Sequence, residues 1–79
     1  MAVSVFIAAT LRRYYPDYDP LKGISIEVPE GASVEELLKL LGIPSSEVKI
    51  IMVDGTHART DTRLKGNERV ALFPAVGGG

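Results

Sequence analysis

The hydrophobic positions of the chain follow two periods, and the change from one to the other marks its elements. Residues 24–28, Ile-Ser-Ile-Glu-Val, alternate apolar and polar, as a strand with one buried face does, and Pro29 ends the run. From Val34 the period lengthens. Val34, Leu37, Leu38 and Leu41 stand at i, i+3, i+4 and i+7 and predict one apolar stripe along a helix. Ser33 and Glu36 form an S-x-x-E capping box at its start. Gly42 supplies a left-handed stop, and Pro44 prevents continuation. Residues 48–53, Val-Lys-Ile-Ile-Met-Val, predict a further strand. Asp54-Gly55 is a hairpin turn, since both residue types accept positive φ cheaply, and Thr56-His57-Ala58 is a short return strand. Residues 60–64 read as irregular and Lys65-Gly66-Asn67 as another turn. Residues 69–76, Arg-Val-Ala-Leu-Phe-Pro-Ala-Val, predict the last strand. At the other end, residues 2–11 are short of charge and rich in β-branched and aromatic types, which predicts the first strand. Residues 12–23 hold Pro16, Asp17, Asp19, Pro20 and Gly23 and read as a loop.

The order β, β, α, β, β, β predicts an α+β domain, one helix packed on one face of a mixed sheet. A single helix covers a single face. The aliphatic set Val3, Val5, Ile7, Ile51, Val53, Val70 and Leu72 suits the side that meets Leu37, Leu38 and Leu41, with Ala9 in the same alternation. Phe6, Ile50, Met52 and Phe73 then fall on the open face. Either they form an apolar patch that meets a partner, or Met52 and Phe73 are tucked under the tyrosine-rich loop.

Composition narrows the function. With 79 residues there is room for one domain, taken as 1–76, and residues 77–79 read as a flexible glycine tail. Nine basic residues stand against ten acidic ones, without the basic stripe of a nucleic-acid binder. The chain has no cysteine, which removes disulfides, thiolate metal sites and a cysteine nucleophile together. Neither a signal peptide nor a membrane span is recognisable, so a cytoplasmic location is expected. His57 is the single histidine and reads as a hairpin-edge residue rather than a metal ligand. Asp17 and Asp19, with Tyr14, Tyr15 and Tyr18, fit turn chemistry and loop packing better than a cation site. Arg12 and Arg13 read as solvated, and Glu35 and Glu36 as dipole-favoured residues of a helix start. No convergent catalytic set emerges.

The tail carries the sharpest signal. Glycine packs nothing and loses the most entropy on ordering, so three in succession after a strand serve the fold poorly. A tail without β-carbons can thread a narrow channel and bring a carboxylate to another protein's active site. A frayed terminus is the bland alternative.

Residues 70–79, Val-Ala-Leu-Phe-Pro-Ala-Val-Gly-Gly-Gly, resemble the C-terminal signature of the MoaD/ThiS family of sulfur carriers. Ala9-Thr10-Leu11-Arg12 is similar to that family's first strand and its exit, Val53-Asp54-Gly55 to its central hairpin turn, and residues 64–70 to the approach to its last strand. Ala75 stands where a second proline is common in the MoaD branch, Gly77 where alanine is, and Asn67 where aspartate is frequent. The Phe73-Pro74 pair and the loop lean toward MoaD. The resemblance implies a ubiquitin-like β-grasp fold and a carrier cycle. An ATP-dependent enzyme of the MoeB/ThiF type adenylates Gly79, and a sulfur donor converts the adenylate to a thiocarboxylate. Sulfur then passes to an acceptor synthase, in the MoaD branch the MoaE-like large subunit of molybdopterin synthase. The chain itself would bind no cofactor and catalyse nothing. Gly79 would be the covalent site, Gly77 and Gly78 would give access, and Phe6, Ile50, Met52, Phe73 and Pro74 would meet the partner. A ThiS-like carrier for thiazole synthesis, a ubiquitin-like protein modifier and a non-covalent interaction domain remain open alternatives.

Overall fold

The computed structural model describes residues 1–75. Five strands and one helix follow in the order β1 (Ala2–Ile7), β2 (Ile24–Glu27), α1 (Val34–Leu41), β3 (Val48–Val53), β4 (Thr56–Ala58) and β5 (Arg69–Pro74). The sheet order is β2-β1-β5-β3-β4, with β1 and β5 parallel and every other neighbour antiparallel. The last strand therefore occupies the centre of the sheet, and the chain beyond Pro74 leaves from that centre.

The helix forms where its signals lie. The Ser33 hydroxyl accepts from the Glu36 main-chain N–H at 3.1 Å, the Glu36 carboxylate accepts from the Ser33 N–H at 3.1 Å, and Gly42 closes the helix at φ 75°. Val34, Leu37, Leu38 and Leu41 are buried against Val3, Val5, Ile7, Ile51, Val70 and Leu72 from the sheet. Val53, of the same set, is half-buried and packs on this cluster.

Residues 60–64 lie outside the strands and the helix, as expected, but are held by hydrogen bonds to the helix start. The Val34 and Glu35 N–H groups donate to the Thr62 and Thr60 carbonyls at 2.9 Å each, so this segment satisfies the helix start that the capping box leaves open. Leu64 anchors it in the core.

Two expectations need correction. The first strand stops at Ile7 rather than continuing to residue 11. Ala9 takes φ 52° and opens a 3-10 segment, Ala9–Tyr14, so Ala9 is exposed instead of sharing the core face. The turn swings Leu11 fully into the core, a burial that a straight strand would forgo. The segment 12–23 is thus partly helical, and its tyrosines are structural. Tyr14, Tyr15 and Tyr18 pack against the core cluster. The Tyr15 hydroxyl donates to the Leu41 carbonyl at 2.7 Å, and the Tyr18 hydroxyl accepts from the Ile7 N–H at 3.1 Å. Tyr14 and Arg13 both bond to Glu47, tying the loop to the chain just before β3. The last strand ends at Pro74, and Val76, expected within it, lies outside the described residues.

Candidate functional site

The face away from the helix is set by β5 and its two neighbours. Along β5, Val70 and Leu72 enter the core, so Arg69, Ala71 and Phe73 point to the opposite side. The register then fixes their companions. Ala71 stands between Phe6 of β1 and Met52 of β3, and His57 of β4 continues the row beyond Met52. Phe73 faces Ile50.

A register shift between Val48 and Ile50 decides what is exposed. In a regular strand Val48 would share a face with Ile50 and Met52. The extra residue, Lys49, re-aims Val48 so that it packs against the core cluster, while Ile50 remains on the open face. Ile50 retains 41% and Phe73 37% of its accessible surface, high values for apolar side chains on a sheet.

Ile50, Phe73, Pro74 and Ala75 line a groove of about 420 Å³ together with Ala8, Ala9 and Thr10, the residues where β1 gives way to the 3-10 turn. The groove lies where the chain leaves the sheet toward its glycines. Of the expected partner residues, the structure brings Ile50, Phe73 and Pro74 to this groove. Phe6 and Met52 share the face but flank Ala71 instead, and both are half-buried. Phe6 has the Arg69 guanidinium over its ring, 4.2 Å from the centroid, and Gly23 close to its ring atoms. The tyrosine loop does not cover Phe73, which stays 37% exposed; its half-buried aromatic side chains pack against the edge of the core cluster instead.

Gly77, Gly78 and Gly79, expected to carry the chemistry, lie outside the described residues. Arg69 and the rim at residues 8–10 escaped the sequence reading. The alternation of Arg69 with Ala71 and Phe73 was the available signal for the first; the turn that presents the rim had none.

The other candidates have structural work. Asp19 accepts from the Leu21 N–H at 2.8 Å, an Asx turn. His57 is an exposed residue of β4. Ser33 hydrogen bonds hold the Glu36 carboxyl below its ordinary value, as expected of a capping residue. Among the described residues no group of three His, Cys, Asp or Glu side chains is placed to hold a metal ion, and no helix is long and apolar enough to cross a membrane.

A single helix on a mixed five-stranded sheet, with the central strand last and a groove at its exit, defines a ubiquitin-like β-grasp domain. The family model "ThiS family" matches residues 11–79, and the chain belongs to the ThiS family. Among solved structures it is similar to a candidate molybdopterin converting factor subunit 1 from Pyrococcus furiosus, at 27% identity and a TM-score of 0.72, covering 96% of this chain and 99% of that one. It is also similar to small archaeal modifier protein 1 from Haloferax volcanii, at 18% identity and a TM-score of 0.74, covering 95% and 98%; at that identity the likeness concerns the fold alone. A further Haloferax volcanii protein, solved in solution, is 25% identical with a TM-score of 0.75, covering 100% of this chain and 87% of that one. No curated protein matches the chain in sequence.

Proposed function

We propose that the protein is a sulfur carrier whose Gly79 carboxylate is adenylated and converted to a thiocarboxylate by partner enzymes. The observation that carries this reading is the match of the ThiS family model through Gly79 itself, on a chain whose open groove lies at the root of the glycine tail.

A free carboxylate is a poor electrophile, and activation splits the difficult substitution into two easier steps. A Gly79 carboxylate oxygen attacks the α-phosphorus of ATP and pyrophosphate leaves, giving the acyl-adenylate. Hydrosulfide released by the donor then attacks the carbonyl carbon, the bond to AMP breaks, AMP and a proton leave, and the thiocarboxylate remains. The catalytic groups belong to the activating enzyme; this chain supplies the carboxylate, a tail at Gly77 and Gly78 narrow enough to enter the enzyme, and a docking face of Ile50, Phe73 and Pro74 with Phe6 and Met52 beside them. The likeness to a candidate molybdopterin converting factor subunit supports delivery of the sulfur to a molybdopterin synthase large subunit for molybdenum or tungsten cofactor assembly.

The test is the intact mass of the purified chain after incubation with an activating enzyme of this kind, ATP and a sulfur source. A shift equal to exchange of one oxygen for sulfur, absent when Gly79 is deleted, supports the carrier. A chain that neither adenylates nor gains sulfur with any such enzyme is instead a non-covalent binding domain. Attachment to lysines of other proteins in extract would make it a modifier.

A further inference from the structure

The open face carries a cation whose position the carrier reading leaves unexplained. The Arg69 guanidinium carbon lies over the Phe6 ring, 4.2 Å from its centroid. Gly23 packs close to the same ring, since a β-carbon there would come within 2.9 Å of two ring atoms, so Phe6 has both backbone and guanidinium as near neighbours. A guanidinium held against a ring face keeps its N–H donors available, and none of them is hydrogen-bonded to a described residue.

Among the described residues Arg13, Lys39, Arg59 and Arg63 are each paired with an acidic side chain, whereas Arg12, Lys22, Lys49, Lys65 and Arg69 are not, and of these Arg69 is the one stacked on an aromatic ring of the open face. The nearest carboxylates by sequence and ladder are committed to backbone. Asp54 accepts from the Arg69 main-chain N–H at 2.9 Å, and Glu68 accepts from the N–H groups of Lys65 and Gly66 at 2.6 Å each. Glu27, the acidic residue of β2 that shares this face, is engaged by the Met1 ammonium at 3.0 Å. The chain is net acidic, yet Arg69, at the start of β5 and on the same face as Ala71, presents a positive charge held on Phe6 that no described acidic side chain pairs.

An interface that covers the apolar residues of this face also removes water from Arg69. A guanidinium taken out of water without an anion opposes association, whereas one matched bidentately by a carboxylate adds specificity and speed of encounter. The stack holds the side chain in place before any partner arrives, so little rotamer freedom remains to be lost.

We propose that Arg69 is the charge anchor of this docking face, and that the surface it receives is that of the ATP-dependent activating enzyme, presenting an aspartate or glutamate carboxylate beside an apolar patch. The inference rests on the carrier reading above. The activating enzyme is the partner that every covalent use of Gly79 requires, and charge complementarity on this face defines its chemistry.

The full chain, Arg69→Gln and Arg69→Lys are compared as substrates of the purified activating enzyme by ATP–pyrophosphate exchange, from low salt upward. In Arg69→Gln, KM for the chain is expected to rise about tenfold at low salt with kcat unchanged. Its KM should also lose the steep dependence on ionic strength shown by the parent chain. Arg69→Lys keeps the salt dependence and recovers part of the affinity, because the charge remains without the planar fork. Thermal melts of the three should differ only by the small stabilisation that an exposed cation–π contact supplies, since the Arg69 main-chain bonds are untouched. Equal KM and equal salt dependence for parent and Arg69→Gln, with both adenylated, would overturn the inference and leave the carrier reading standing. A parent chain that sediments as a dimer, reduced to monomer by Arg69→Gln, would assign the face to a second copy and overturn it as well. If the parent chain is itself never adenylated, the carrier reading fails first and takes this inference with it; that failure is seen before any substitution is made.

Discussion

Ile50 and Phe73 face each other across the β3–β5 ladder, one residue beyond the register shift at Lys49, and both stay exposed at the groove where the chain leaves the sheet. Their pairing gives two apolar side chains a common edge that the fold itself does not bury. Replacing either by serine removes partner contact while sparing the core. Ile50→Ser and Phe73→Ser are each expected to lower unfolding free energy by no more than about 1 kcal/mol, yet to weaken capture by the activating enzyme severely. Urea unfolding and a binding titration on the same samples separate the two effects. A large stability loss with unchanged binding would return both residues to the core.

The opposite face responds in the opposite way. Leu37 is fully buried, while Leu40, three residues on along the same helix, keeps 55% of its surface. Leu37→Ala should cost about 2–5 kcal/mol through lost transfer energy and the cavity left behind. Leu40→Ala should change stability by about 0.5 kcal/mol or less. Comparable losses at the two positions would mean the helix presents a different stripe to the sheet.

What the sequence made legible was local and periodic. The capping box, the Gly42 stop, the Asp54-Gly55 turn and the division of β5 into two faces each depend on residues within one turn or one strand, and each stands in the structure. What it hid was set by distant contacts. The 3-10 turn at Ala9 exists because Leu11 finds a place in the core, and residues 60–64 are fixed by amide groups of a helix some thirty positions earlier. The tyrosines read as loop packing, but their hydroxyl partners at Leu41, Ile7 and Glu47 belong to other elements. The Lys49 bulge has no signature in Val-Lys-Ile-Ile-Met-Val, since an apolar run is compatible with either register. Phe73 and Pro74, which line the groove, were singled out by resemblance and alternation. The rim at Ala8, Ala9 and Thr10 was not, because it depends on where a strand ends.

Gly23 and Gly31 test backbone and space separately. Both have positive φ, 70° and 81°, so a side chain at either is strained. Around Gly31 a β-carbon meets nothing within 4 Å, whereas at Gly23 it would lie 2.8 Å from the Val5 carbonyl oxygen and 2.9 Å from the Phe6 ring. Gly31→Ala should therefore cost about 1 kcal/mol, the strain alone. Gly23→Ala should cost about 2–3 kcal/mol and move Phe6, which a loss of ring-current shifts around Arg69 would report by NMR. Equal costs at the two glycines would show that Gly23 does not pack close to the ring.

Acid sensitivity should trace in part to Glu36. Its carboxyl is held below the ordinary 4.5, first by the Ser33 main-chain N–H and then by the Ser33 side chain, with Arg63 adding a smaller pull. A carboxyl whose value is lowered on folding binds protons less readily in the native than in the unfolded chain. It therefore contributes stability that is complete above its unfolded value and is lost as the pH falls through the lowered folded value. Glutamine can still close the capping box through its amide oxygen but does not titrate. In Glu36→Gln, stability near neutral pH should fall modestly, and the decline below about pH 4.5 should become shallower than in the parent chain. Urea midpoints measured at neutral pH and at several acidic values decide it. Parallel pH profiles for the two chains would mean that the acid response resides in other carboxylates, and that the Ser33–Glu36 bonds are replaced by water without cost.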